Sequence, residues 1–124
     1  MVNCRLPDHV GPGMTVLFVG INPGMRSAAI GHHFAGYSNR FWKLLFESGL
    51  VSELIRAEDD ERLLEWGFGI TNVVPRATPG IDSLTPAEFV AGVQRLRRKV
   101  RRNLRPYLVA QLKSPSHLRC QWRF

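Results

Sequence analysis

The fold class that the sequence predicts is α/β, with a parallel sheet and helices between the strands. Three observations predict it. Apolar runs rich in β-branched and aromatic residues recur at Val16–Val19, in Gly67–Val74 and over Tyr107–Leu112, and each is short enough to be a buried strand. Between the last two, Phe89, Val93, Leu96, Val100 and Leu104 follow one another at spacings of four, three, four and four, which is one helical stripe. Breaker clusters rich in Gly and Pro separate the periodic segments. Strand, helix, strand, helix, strand at such spacing is the pattern of a parallel α/β sheet.

The elements follow in order. Residues 1–14 carry Pro and Gly and read as a flexible lead-in arm. The Val16–Val19 strand ends in Gly20-Ile21-Asn22-Pro23-Gly24, where the chain must turn sharply. In an open α/β sheet, ligands bind beyond the carboxyl ends of the strands, so Asn22 stands where a small planar ligand is read. Gly20 and Gly24 let backbone N–H groups approach such a ligand, and Pro23 stiffens the turn. Gly31-His32-His33-Phe34 adds two imidazoles and an aromatic face. Ser38 or Asn39 then caps a helix whose apolar face is Phe41, Trp42, Leu44, Leu45 and Phe46, with Gly49 as its stop.

Residues 51–66 hold six of the ten acids (Glu53, Glu58, Asp59, Asp60, Glu61 and Glu65) around a short helix that buries Leu63, Leu64 and Trp66. Thr78-Pro79-Gly80 is a turn after the second strand. Thr85-Pro86-Ala87-Glu88 is a helix start with a capping box, and Pro106 halts that helix.

Composition narrows the function classes. At 124 residues the chain is at most one small domain, and no apolar run is long enough to span a membrane. The N-terminus has no signal-peptide pattern, and two cysteines without a CxxC fit a reduced intracellular setting. No GK[ST] follows the glycine loop and no GxGxxG occurs, which argues against nucleotide sites. His32 and His33 are adjacent and have no Cys or carboxylate at ligand spacing, so no metal site is expected. The net charge of +7 is concentrated after Glu88, where ten Lys/Arg meet no acid. Such a surface suits a polyanion, a solvated helix face or a basic localisation signal in RRKVRR.

Gly20-Ile21-Asn22-Pro23-Gly24, Gly31-His32-His33-Phe34 and Asn39-Arg40-Phe41-Trp42, in register, resemble the first motif region of the mismatch-specific uracil/thymine-DNA glycosylases, within the uracil-DNA glycosylase superfamily. The resemblance covers residues 15–112 and leaves 113–124 as a divergent tail. It implies an incomplete form of the three-layer α/β/α glycosylase fold, with about three strands. Family members continue further and carry a second motif, roughly [NM]-P-S-S/G-x-x-R. Only Pro115, Ser116 and Arg119 are similar to it here, so the chain reads as C-terminally truncated.

The implied activity is hydrolysis of the N-glycosidic bond of uracil or thymine mispaired with guanine in double-stranded DNA. The resemblance implies Asn22 as the catalytic residue. It places Gly20, Ile21, Pro23, Gly24, His33, Phe34 and Asn39 around the base, with Asn72 and Thr78 returning to the pocket. Asn72, where uracil-directed bacterial members tend to carry Lys, leans the chain towards thymine excision. Ser27, Arg98, Arg101 and Arg102 are the expected DNA contacts. No cofactor is required, the two cysteines exclude the iron–sulfur branch, and a monomer is expected, nuclear in a eukaryote and cytoplasmic in a bacterium. The alternative is a truncated, inactive remnant that binds DNA weakly through its basic C-terminal helix, with an exposed apolar sheet edge.

Overall fold

The structure, a computed structural model, describes residues 6–103, 109–114 and 117–121. Strand β1 (Val16–Gly20) is followed by helix α1 (Met25–Ile30), helix α2 (Phe41–Glu47) and a kinked 3-10 helix (Ala57–Trp66). Strand β2 (Phe68–Asn72), a short 3-10 turn (Ile81–Ser83), helix α3 (Pro86–Asn103), and strands β3 (Val109–Ser114) and β4 (His117–Gln121) follow. The sheet order is β2-β1-β3-β4. β1 pairs in parallel with both β2 and β3, and β4 returns antiparallel to β3. The three parallel strands are those expected, and a fourth is built from the tail. Leu104, Pro106, Tyr107 and Leu108, assigned to the end of the helix and the start of the third strand, lie outside the described residues.

Alternation along β1 divides the core. Leu17 and Val19 face one side, packed with Met14, Val73, Val74, Leu84, Leu96 and Val100. Phe18 faces the other, with Phe41, Trp42, Leu45, Val51, Ile55, Leu63, Phe68 and Ile70. Side chains of a strand alternate between faces, so one buried strand serves two hydrophobic layers. The result is the three-layer α/β/α arrangement, with α3 on one face and α2 and the 3-10 helix on the other.

The α3 stripe differs from the spacing pattern at one position. Val93 is 38% exposed, and Gly92 occupies the interface instead. A Cβ at Gly92 would run into the Val73 carbonyl, so the helix backbone rests directly on the end of β2.

Residues 6–14, read as a flexible arm, are fastened to the domain. Leu6 and Met14 are buried, and His9 exchanges two backbone hydrogen bonds with Ile70 of 2.9 and 2.8 Å. Asp8 accepts from the Thr71 hydroxyl at 2.6 Å and pairs with Lys99. Of the expected basic face, Lys99 therefore turns inward, its Nζ donating to Thr71 at 3.1 Å.

The capping box forms as its spacing predicts. The Glu88 N–H donates to Thr85 Oγ1, and the Thr85 N–H donates to Glu88 Oε1, both at 3.2 Å. Arg76 adds two guanidinium contacts to the same carboxylate, of 3.0 and 2.9 Å. Arg76 first, then the Thr85 N–H, hold Glu88 well below the usual carboxylate range, at about 2. A depressed pKa contributes stability that is present above the unfolded value of 4.5 and is lost as pH falls towards about 2. The melting temperature of the wild type should therefore exceed that of Glu88→Gln by a constant margin above pH 4.5, with the gap closing as pH approaches 2. A gap unchanged down to that pH would show that ionisation of Glu88 contributes nothing to stability.

Candidate active site

At the carboxyl ends of β1 and β2 lies a cavity of ≈ 250 Å³, with room for a single planar heterocycle. The parallel register sets Gly20 opposite Asn72, so both loops leave the sheet at the same edge. The pairing continues past the strands, with Val73 N–H to Gly20 O and Val74 N–H to Ile21 O, each 2.8 Å. Gly20, Ile21, Asn22, Pro23 and Gly24 all line the cavity, as do Ser27, His33, Phe34, Asn39 and Asn72. Ten of the expected positions thus converge on one space.

Asn22 has a fixed orientation. Its Nδ2 donates to the Arg76 carbonyl at 3.0 Å and to Thr78 Oγ1 at 2.8 Å. The Thr78 hydroxyl spends its own proton on the Gly80 carbonyl at 2.6 Å, so it can only accept from Asn22. A backbone carbonyl also only accepts, and the amide assignment follows from these partners. Asn22 Oδ1 is therefore the end left to accept a hydrogen bond. Thr78 lies behind Asn22, a positioning partner rather than part of the cavity lining.

Phe34 is the aromatic wall. It holds φ 52°, in the left-handed region that costs a residue with a Cβ about 1–2 kcal/mol. Its neighbours are pinned on both sides, which maintains that conformation. The His33 N–H donates to Asp60 Oδ2 at 2.6 Å, and the His33 carbonyl accepts from Trp42 Nε1 at 3.1 Å. The Ala35 N–H donates to Ser27 Oγ at 3.0 Å, and its carbonyl accepts from Arg26 Nε at 2.9 Å. The Phe34 ring lies 4.2 Å from that of Phe41, tilted by 37°.

Several expected residues have other partners. Ser27 is buried in the pocket wall, where its Oγ accepts from the Ala35 N–H. Asn39 accepts from the Phe41 N–H at 2.9 Å, supporting the start of α2 as well as lining the cavity. His33 is buried, with Nε2 2.7 Å from the Pro7 carbonyl, and burial pushes its pKa down.

Arg98, Arg101 and Arg102 are exposed but do not join the cavity. Gly92 sits at the pocket-side end of β2. The three arginines follow it by six to ten residues, roughly 9 to 15 Å further along the helix. A helix linking parallel strands must run back to the opposite edge of the sheet, and it carries them away from the pocket.

The acidic cluster does not all face outward. Asp60 is 1% exposed and is drawn into a group of histidines. Its Oδ1 lies 3.1 Å from His9 Nε2 and 3.2 Å from His32 Nδ1. Burial alone would raise its pKa, but His9, the His33 N–H and His32 outweigh that and hold it at about 2. His9 is pushed up by Asp60 in turn. No carboxylate stands at ligand spacing from the histidines along the chain, yet the fold brings one beside them from a distant position. A signal was present, since Asp60 precedes the buried Leu63 by three residues and so shares its helix face. Leu6 and Ile81 also line the cavity, and nothing in their local pattern marked them.

A family model, the uracil DNA glycosylase superfamily, matches residues 7–120. The chain belongs to that superfamily. Superfamily members are DNA glycosylases, hydrolases that act on DNA, and a function of uracil-DNA glycosylase type goes with membership. The match reaches beyond 15–112 at both ends, taking in the fastened N-terminal segment and nearly all of β4.

One glycine tests whether this cavity is where the superfamily chemistry occurs. A Cβ at Gly20 would overlap Asn72 Oδ1 and lie 3.5 Å from the Phe34 ring. The obstacle is the end of a flexible side chain, so Gly20→Ala should fold with a near-normal melting temperature. Uracil release should nevertheless fall sharply, because the methyl group and the displaced Asn72 fill the pocket. Unchanged release would place the chemistry elsewhere.

Proposed function

We propose that this chain is a monofunctional, mismatch-directed uracil/thymine-DNA glycosylase that starts base-excision repair by hydrolysing the N-glycosidic bond of a base mispaired with guanine. The observation that carries the reading is Asn22, whose carboxamide nitrogen is committed to Arg76 and Thr78 and whose oxygen is left as an acceptor in the pocket.

A base inside a duplex is out of reach, so the nucleotide is extruded, at least cost where it is mispaired. The cavity, of single-base size, then takes the base against Phe34. Asn22 Oδ1 accepts a hydrogen bond from water and orients it towards C1′. Unlike a carboxylate, the carboxamide takes up no proton effectively, so bond breaking runs ahead of nucleophilic attack and the sugar becomes oxocarbenium-like. The departing base leaves as an anion, stabilised by backbone N–H groups around Ile21 and Phe34, and the proton that water loses on bonding to C1′ passes to that anion or to solvent. The catalytic contribution is mainly positioning, which predicts a slow enzyme. Asn72, buried at the cavity wall beside Gly20, offers a carboxamide to the base edge and favours acceptance of thymine as well as uracil. The partner is duplex DNA carrying G·U or G·T, bound by a monomer, in the nucleus of a eukaryote or the cytoplasm of a bacterium. Arg98, Arg101 and Arg102 supply long-range attraction for the polyanion rather than contacts to the extruded nucleotide.

Single-turnover base release from G·U and G·T duplexes tests the assignment. Asn22→Ala should reduce release by about 100-fold or more while DNA affinity is retained. Thr78→Ala, which frees one Nδ2 donor, should fall between that variant and the wild type. Absence of release from the wild-type chain would instead favour the inactive, DNA-binding remnant.

The arginines make a separate prediction. Replacing Arg98, Arg101 and Arg102 together by Ala should weaken DNA binding and flatten its salt dependence by roughly one unit of log–log slope per charge in contact with phosphate. The rate at saturating enzyme should not change. A fall in that saturated rate would return these residues to the reaction site.

A further inference from the structure

We propose that His9, His33 and Asp60 form a binding site for a zinc-class divalent cation, which staples the N-terminal segment and the 3-10 helix to the loop that carries Phe34. One ligand atom from each lies within 4.8 Å of the others, and the three come from parts of the chain that only the fold unites. His33 and Asp60 are each 1% exposed.

Three features are those of a ligand set rather than an ordinary polar cluster. First, His9 Nε2 is buried and 3.1 Å from Asp60 Oδ1, yet it makes no aligned hydrogen bond. Zinc holds nitrogen and oxygen ligands at about 2.0–2.1 Å in a tetrahedron, which separates the ligand atoms by about 3.3 Å. Two lone pairs aimed at a common point give such a separation without the alignment of a donor and acceptor.

Second, the atoms of these residues that would not bind metal are already held. The Asp60 carboxylate receives the His33 N–H on Oδ2, at 2.6 Å, which leaves Oδ1 towards His9. His33 Nε2 lies 2.7 Å from the Pro7 carbonyl, which can only accept. The proton is thereby fixed on Nε2 and the lone pair on Nδ1. Metal-binding histidines and carboxylates are commonly oriented by outer partners of this kind.

Third, the donor chemistry suits the cation. Two imidazoles and one carboxylate make a borderline set that zinc accepts, with water in the fourth position. The partly exposed His32, 3.2 Å from the same Asp60 oxygen, marks the side from which solvent arrives.

The test uses the untagged full chain after treatment with chelator. Zn²⁺ titrated into it calorimetrically should bind at one equivalent, and Co²⁺ should give the visible absorption of a tetrahedral site. His9→Gln is the decisive variant, because a carboxamide can still donate towards Asp60 Oδ1 from this position while lacking the imidazole ligand. It should weaken Zn²⁺ binding by more than the roughly 10- to 100-fold that loss of an outer-shell partner costs. His33→Gln should do the same, with circular dichroism confirming that each variant is folded. No saturable binding by the wild type would overturn the proposal. So would binding that His9→Gln leaves unchanged, or a loss confined to His32→Gln. The readout uses no DNA, so its outcome is independent of whether the chain releases a base.

Discussion

The parallel pairing of β1 with β2 is the constraint on which the site depends. With Gly20 opposite Asn72, the loops after both strands emerge side by side, and the bonds from Val73 and Val74 keep them together for two residues more. Only then can Asn22 reach the Arg76 carbonyl and Thr78, which lie far along the chain. A shift of one residue would turn Phe18 out of one core layer and Leu17 and Val19 out of the other, so the hydrophobic layers fix the register that the chemistry requires.

A second level of organisation holds the aromatic wall. Phe34 adopts a backbone conformation unfavourable to it, and the residues on either side are tied to Asp60, Trp42, Ser27 and Arg26. Strain of this kind persists only where the surroundings over-determine the local geometry. Here the supports come from the Ala57–Trp66 3-10 helix, α2 and α1, so three helices contribute to the position of one ring. A rigid wall suits the proposed reaction, which relies on placing reactants rather than on strong acid–base groups.

The fold was legible in the sequence wherever the pattern was local and repetitive. The β1 run, the capping box of α3 and the Gly-Ile-Asn-Pro-Gly loop each appear where their residues place them, and the motif residues converge on one cavity. What was not legible depended on distance. Asp60 belonged to a run of acids, and only tertiary packing selects it for burial among histidines from two other segments. Leu6 lay in a stretch with the composition of a loose arm, yet it closes one side of the cavity. The arginines were legible as a charged surface but not as a location, because charge spacing along a helix does not say which end of the sheet that helix runs to. Val93 fitted the periodic stripe, but the helix approaches the sheet so closely that a glycine takes the central contact.

The antiparallel bridge between His9 and Ile70 has a consequence for the behaviour of the molecule in solution. β2 is the outermost strand on its side, and an outermost strand presents a row of unpaired backbone groups on which another chain can add. His9 occupies those groups at the middle of β2, and Asp8 places a carboxylate against Thr71. The N-terminal segment thus serves as a guard on the sheet edge, discouraging self-association of partly opened molecules while their apolar strands are exposed. Leu6 of the same segment lines the pocket, so loss of the segment would be felt as precipitation as well as in the shape of the pocket.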